Sequence, residues 1–101
     1  MSMYEFRKKP VVIEAFQMTV ERRKDNRLWP EWLNAAWNKD PSEPGSVRPE
    51  NYPASDGTEN LVIQTLEGKM RVEWSDWIIQ GVHGEIYPCK PEIFEATYEK
   101  A

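Results

Sequence analysis

Apolar and polar positions recur with two different periods along this chain, and the change of period marks its elements. Residues 11–18, Val-Val-Ile-Glu-Ala-Phe-Gln-Met, carry apolar side chains on both faces of an extended strand, with Val12, Phe16 and Met18 on one and Val11, Ile13 and Ala15 on the other. A strand apolar on both faces is expected inside a sheet rather than at its edge. Pro10 can open it without costing an interior ladder bond, and Glu14 is expected at the rim. Thr19 is placed to cap a short helical turn, with Glu21 close behind. From Leu28 to Lys39 the period lengthens. Trp29, Trp32, Leu33, Ala36 and Trp37 fall at i, i+3, i+4, i+7 and i+8, a single apolar stripe, with Pro30 within the first turn. Such a stripe reads as core laid on a sheet; the alternative is a stacking platform for nucleic-acid bases.

Residues 40–60 break both periods. Pro41, Pro44, Gly45, Pro49, Pro53 and Gly57 exclude helix interior and central strand, so this stretch is expected to be a long Pro-rich loop anchored by Val47 and Tyr52. Leu61–Leu66 reads as a strand by its β-branched content, and after Glu67-Gly68 the run Lys69–Trp74 alternates, with Met70, Val72 and Trp74 inward. An acid-Gly pair between two such runs predicts a hairpin. Trp77–Gln80 and Glu85–Tyr87 are two more strands, separated by the turn Gly81-Val82-His83-Gly84 and ended by Pro88. Pro91 then opens a helix with Ile93, Phe94, Thr97 and Tyr98 at helical spacing. The order of elements predicts one α+β domain over residues 1–101: a small, hairpin-rich antiparallel sheet of four to five strands with one or two helices packed on one face. Residues 1–9 are expected to order only on contact with that sheet.

The N-terminal run Arg7-Lys8-Lys9-Pro10-Val11-Val12-Ile13-Glu14-Ala15 and the C-terminal run from Ile78 to Glu99, with its Gly81-Val82-His83-Gly84-Glu85-Ile86-Tyr87-Pro88-Cys89-Lys90-Pro91-Glu92-Ile93-Phe94 core, resemble a family of small phage- and prophage-encoded proteins of unassigned function. The likeness covers both ends, about half the chain. It departs where the third strand of the tail half begins: the family pattern is Pro-Gly-Asp-Tyr, and here Trp74-Ser75-Asp76-Trp77 stands instead. The aspartate is kept and the Pro-Gly turn is not, so the approach to that strand is expected to differ in shape. The resemblance implies a phage or prophage origin and a bacterial cytoplasm, and it carries over no catalytic residue.

Charge and composition narrow the chemistry. Net charge is −4, yet residues 1–27 hold seven Lys/Arg against four acids, and the rest hold six against thirteen. An acidic chain is a poor nucleic-acid partner, although the basic N-terminal part could form a local patch over otherwise solvated charge. No apolar run is long enough to span a bilayer, the N-terminus lacks a signal-peptide core, and a single cysteine agrees with a reducing compartment. The expectation is a cytoplasmic protein without membrane contact.

His83 and Cys89 are the only residues of their kinds. They flank one short strand, and at about 3.3 Å per residue they stand too far apart for a hydrogen bond unless Pro88 folds the chain back. Cys89 therefore reads as a small buried apolar group, and no catalytic residue is assigned. Two Cys/His side chains cannot make a structural zinc site, and Asp56-Gly57-Thr58-Glu59-Asn60 reads as a turn rather than a cation loop, so neither metal nor cofactor is expected. The most suggestive cluster is His83, Tyr87 and Lys90 beside the last helix, a place where a small anionic, nucleotide-like ligand could bind; the plainer reading is a turn residue, a core phenol and a solvated lysine. The functions that remain are, first, a non-enzymatic module binding a host or phage protein, with self-association possible, and second, a binder of a small anion. An enzyme ranks last.

Overall fold

The computed structural model describes residues 3–5 and 9–101. The expected leader, and Arg7 and Lys8 of the basic N-terminal part, therefore lie wholly or largely outside the described residues. Six strands and three short helices follow in the order β1 (Glu14–Gln17), α1 (Val20–Arg23), α2 (Glu31–Trp37), β2 (Val47–Pro49), β3 (Leu61–Thr65), β4 (Gly68–Val72), β5 (Trp77–Gln80), β6 (Ile86–Cys89) and α3 (Pro91–Thr97). They form two antiparallel three-stranded sheets, ordered β1-β5-β6 and β2-β3-β4, with β6 lying against β3 and β4. The α+β class is as the sequence predicts, with one more strand than expected.

The core lies between the two sheets. Met18, Leu33, Val47, Leu61, Ile63, Val72 and Ile78 are fully buried there, joined by Trp29, Ala36 and Ile86. The helical stripe does face this core. Trp29 is buried, meets Trp37 edge to face at 5.6 Å and donates its indole N–H to the Arg22 carbonyl at 2.7 Å. Trp32 and Trp37 are half-buried against the same cluster, so the rings pack the protein rather than form an open stacking platform. The helix is shorter than its stripe: Asn26–Leu28 is a separate 3₁₀ turn and Pro30 sits at the N-cap. Upstream, the Thr19 hydroxyl accepts from the Arg22 N–H and caps α1 as expected.

Several placements correct the sequence reading. β1 pairs only with β5, so it is an edge strand, not an interior one. Its second apolar face, Val11, Ile13 and Ala15, is explained by a layer above the sheet rather than by a second neighbouring strand: with Trp77, Phe94 and Tyr98 these residues line one groove. The 40–60 stretch is not wholly irregular, because Val47–Pro49 pairs with Leu61–Ile63. Pro49 ends that edge strand, where a missing N–H breaks no interior bond. In the β3–β4 hairpin Thr65 pairs with Gly68, so the two-residue loop is Leu66-Glu67, one residue earlier than expected. Gly68 takes φ 120°, and the Thr65 hydroxyl closes the loop by donating to the Gly68 carbonyl at 2.7 Å. Val72 is buried and Trp74 half-buried, but Met70, near the hairpin tip, is exposed. Pro88 does not end β6, which runs on to Cys89; β6 pairs with β5 alone, a position that tolerates proline.

Among the described residues, the link into β5 carries the one backbone conformation that its residue disfavours. Ser75 has φ 76°, the left-handed region where a Cβ is crowded. Its N–H donates to the Met18 carbonyl at 2.7 Å and its carbonyl accepts from the Gln17 amide at 3.0 Å, so the bonds that hold it there use its backbone. Glycine, with no Cβ, would suit this position. Ser75→Gly is expected to raise stability by about 0.5–1 kcal/mol, the relief of left-handed strain less the extra chain entropy of glycine. A thermal melt checks this, and an unchanged or lower Tm would contradict it.

Candidate functional site

The turn between β5 and β6 folds on its own bonds. The Gly81 N–H donates to the Glu85 carbonyl at 2.8 Å, the Gly84 N–H to the Gly81 carbonyl at 3.0 Å, and the His83 N–H to Glu85 Oε2 at 3.0 Å. The Glu85 carboxylate lies over the turn so closely that a side chain at Gly81 would collide with it. His83 is thus carried at an exposed tip beside a carboxylate.

His83 and Tyr87 line one open cavity of about 530 Å³ together with Lys39, Glu67, Met70 and Glu85. Lys90 does not line it: it is the exposed N-cap of α3, with no side-chain cap bond. The structure therefore brings two of the three expected ligand residues together and leaves the third apart. Lys39, from the end of the tryptophan-bearing segment, stands in the cavity instead, a residue that nothing local in the sequence connects to His83. The Tyr87 phenol is held protonated, pushed up to about 12 by burial, then by Tyr98 and the Glu85 charge. With Glu67 and Glu85 in the lining, the cavity offers an anion two repulsive carboxylates beside one lysine.

Cys89 is half-buried on β6, and its Sγ faces the Lys90 carbonyl at 3.6 Å. Burial pushes its thiol up, and the Asp76 and Glu92 carboxylates push the same way, which opposes thiolate formation. It does not line the cavity that holds His83. In the 55–60 turn the carboxylates face their own neighbours: Asp56 Oδ1 accepts from the Thr58 N–H and hydroxyl, and Glu59 from the Ser55 hydroxyl, the Asp56 N–H and Arg23. Among the described residues no three His, Cys, Asp or Glu side chains converge as a metal site.

A second surface was not singled out from the sequence. On the outer face of the β1-β5-β6 sheet, α3 lays Phe94 flat on Trp77, with centroids 4.2 Å apart and planes 10° apart, and Tyr98 tilts onto Phe94 at 5.2 Å. Beside these rings Val11, Val12, Ile13 and Ala15 complete a groove of about 430 Å³. Val12 is 79% exposed and Val11 is exposed. The groove's sequence signal is the odd-numbered apolar face of residues 11–15, which by pattern alone is the same as that of an interior strand. The basic N-terminal part, by contrast, is partly used up internally. Arg23 is buried on Glu59, Arg22 donates to the Gln17 carbonyl and lies over Phe16, and Arg27 pairs with Asp25. No helix of the described residues is long and apolar enough to cross a membrane. No family model, curated protein or solved structure matches this chain.

Proposed function

We propose that this chain is a non-enzymatic accessory protein of phage or prophage origin that binds a host or phage protein in the bacterial cytoplasm. The observation that carries this reading is the groove between β1 and α3, where aliphatic side chains stand open to water beside stacked aromatic rings. Aromatic anchors in an apolar depression with a polar rim are what protein interfaces use. Here Glu99 and Lys100 supply the rim. The raised Cys89 thiol and its separation from the His83 cavity favour binding over nucleophilic chemistry. The anion-binding alternative rests on the His83–Tyr87–Lys39 cavity and is weakened by Glu67 and Glu85 in its lining.

A photo-crosslinking residue in place of Lys100, at the groove rim, is expected to capture one protein species from infected or lysogenic host cells. The same residue in place of Leu28, exposed and outside the groove, is expected to capture none. Equal capture at both positions, or none at Lys100, would overturn the groove as the binding surface.

A further inference from the structure

Arg23 pairs with Glu59, Arg27 with Asp25, and Arg71 with Glu50 and Glu73. Arg48, in the middle of β2, is half-buried and makes no ion pair among the described residues, although the chain carries seventeen acids. A partly desolvated charge normally has a counter-charge. Its side chain makes one bond, from Nη1 to the Pro41 carbonyl at 2.8 Å. That bond fixes the plane of the guanidinium and uses one arm of its fork, which leaves the other for an acceptor. Arg48 lines a cavity of about 330 Å³ with Trp37, Lys39, Pro41, Tyr52 and Pro53. No carboxylate lines it among the described residues, whereas the His83 cavity holds Glu67 and Glu85. The acids nearest in sequence are engaged elsewhere: Asp40 Oδ1 accepts from the Ser42 N–H and hydroxyl, Glu50 pairs with Arg71, and Glu59 holds Arg23. Tyr52 is 54% exposed, and its N–H donates to the Pro49 carbonyl at 3.1 Å, which fixes the turn that carries the ring. The Lys39 ammonium rests beside Gly45 with no ion pair, on a flexible stem that lines this cavity as well as that of His83.

We propose that this cavity binds a small aromatic phosphate of the size of a nucleoside monophosphate, with the phosphate on Arg48 and Lys39 and the ring against Tyr52. Two cations and no acid favour a doubly charged group over a carboxylate, and a guanidinium fork matches phosphate oxygens in pairs. The exposed phenol ring, flanked by the flat apolar faces of Pro41 and Pro53, suits a planar ring that stacks. Size sets the upper limit. The cavity stands at the small end of ligand sites, with room for one ring system and one phosphate but not for a peptide. A nucleic-acid strand is disfavoured again by the net charge of −4 over the rest of the surface. The cavity shares no lining residue with the groove between β1 and α3, so this site stands independently of the protein-binding reading.

Isothermal titration calorimetry of the full chain with adenosine monophosphate is expected to show one site per chain. Adenosine, which lacks the charge, and inorganic phosphate, which lacks the ring, are each expected to bind about tenfold more weakly or worse. Phenyl phosphate is expected to bind more tightly than benzoate, which separates a phosphate site from a carboxylate site. Arg48→Gln is expected to weaken adenosine monophosphate by about tenfold or more, and Arg48→Lys to keep part of the affinity. Tyr52→Ala, at an exposed ring, is expected to weaken adenosine monophosphate but not inorganic phosphate. Lys69→Gln removes an exposed positive charge outside the cavity and is expected to leave the affinity unchanged. Absence of binding by both adenosine monophosphate and phenyl phosphate at millimolar concentration overturns the proposal. So does equal weakening by Lys69→Gln and Arg48→Gln, the mark of diffuse attraction. Binding that survives Arg48→Gln and is lost in His83→Ala overturns it in favour of the other cavity.

Discussion

Leu33→Ala is expected to destabilise the protein by about 3 kcal/mol, while Leu28→Ala, five positions earlier, changes stability by less than about 0.5 kcal/mol. The two leucines have the same transferable apolar surface, and only their placement differs. Leu33 is fully buried on α2 among Trp29, Ala36 and the strand residues of both sheets, whereas Leu28 is 75% exposed in the 3₁₀ turn. Truncating Leu33 loses its transfer free energy and leaves a cavity that rigid tryptophan rings on either side cannot collapse to fill. In a domain of this size the loss lowers Tm by roughly 12–24 °C, so it is visible in a simple melt. Equal effects at the two sites would mean that α2 does not close the core, and the two-sheet packing would fall with it.

That contrast also shows what a sequence reading reaches and what it misses. The stripe from Trp29 to Trp37 is a local signal: five apolar residues at helical spacing face one way whatever else the chain does. The β3–β4 hairpin is legible for the same reason, since alternation and a Gly-bearing turn act over a dozen residues. Its register slipped by one because Thr65, not Glu67, closes the loop, through a hydroxyl bond that no alternation records. The lateral place of a strand is a different kind of fact. Residues 11–18 are apolar on both faces because the core lies below and α3 shares a groove with them above, and no pattern within the strand tells a covering helix from a neighbouring strand. β2 escapes the sequence pattern because a three-residue strand ending in a proline is too short to show a period. Of the suggested ligand residues, His83 and Tyr87 meet because a tight turn and one strand join them. Lys90 lies past that strand on the N-cap of α3, and Lys39 arrives from a segment forty-odd residues away in sequence.

Arg23→Ala is expected to be among the most damaging substitutions of a charged residue in the protein, lowering Tm at neutral pH by roughly 10 °C or more. Arg23 Nη2 meets Glu59 Oε1 at 2.8 Å, its Nε donates to the Glu59 carbonyl at 3.1 Å, and it lies under the Trp37 ring at 5.4 Å. Both side chains are only 8% exposed, so removing the guanidinium takes the counter-charge from a desolvated carboxylate and the side-chain donor from a carbonyl, and unties the 50–60 loop from α1. The exposed pair Arg27–Asp25 is the internal control. Arg27 holds Asp25 down to about 2, yet both are open to water, so Arg27→Ala should barely move the melt. The pH dependence separates charge pairing from mere packing. The Ser55 hydroxyl, then the Asp56 N–H, then Arg23 hold the Glu59 carboxyl below the usual glutamate range. A depressed carboxyl contributes stability above its unfolded pKa of about 4.3 and loses it as pH falls through the folded value. The penalty of Arg23→Ala should therefore be full at pH 7 and shrink as pH drops below that range, because a protonated Glu59 no longer needs its counter-charge. A Tm difference that stays constant across the acid limb would show that Arg23 acts only as filler beneath Trp37.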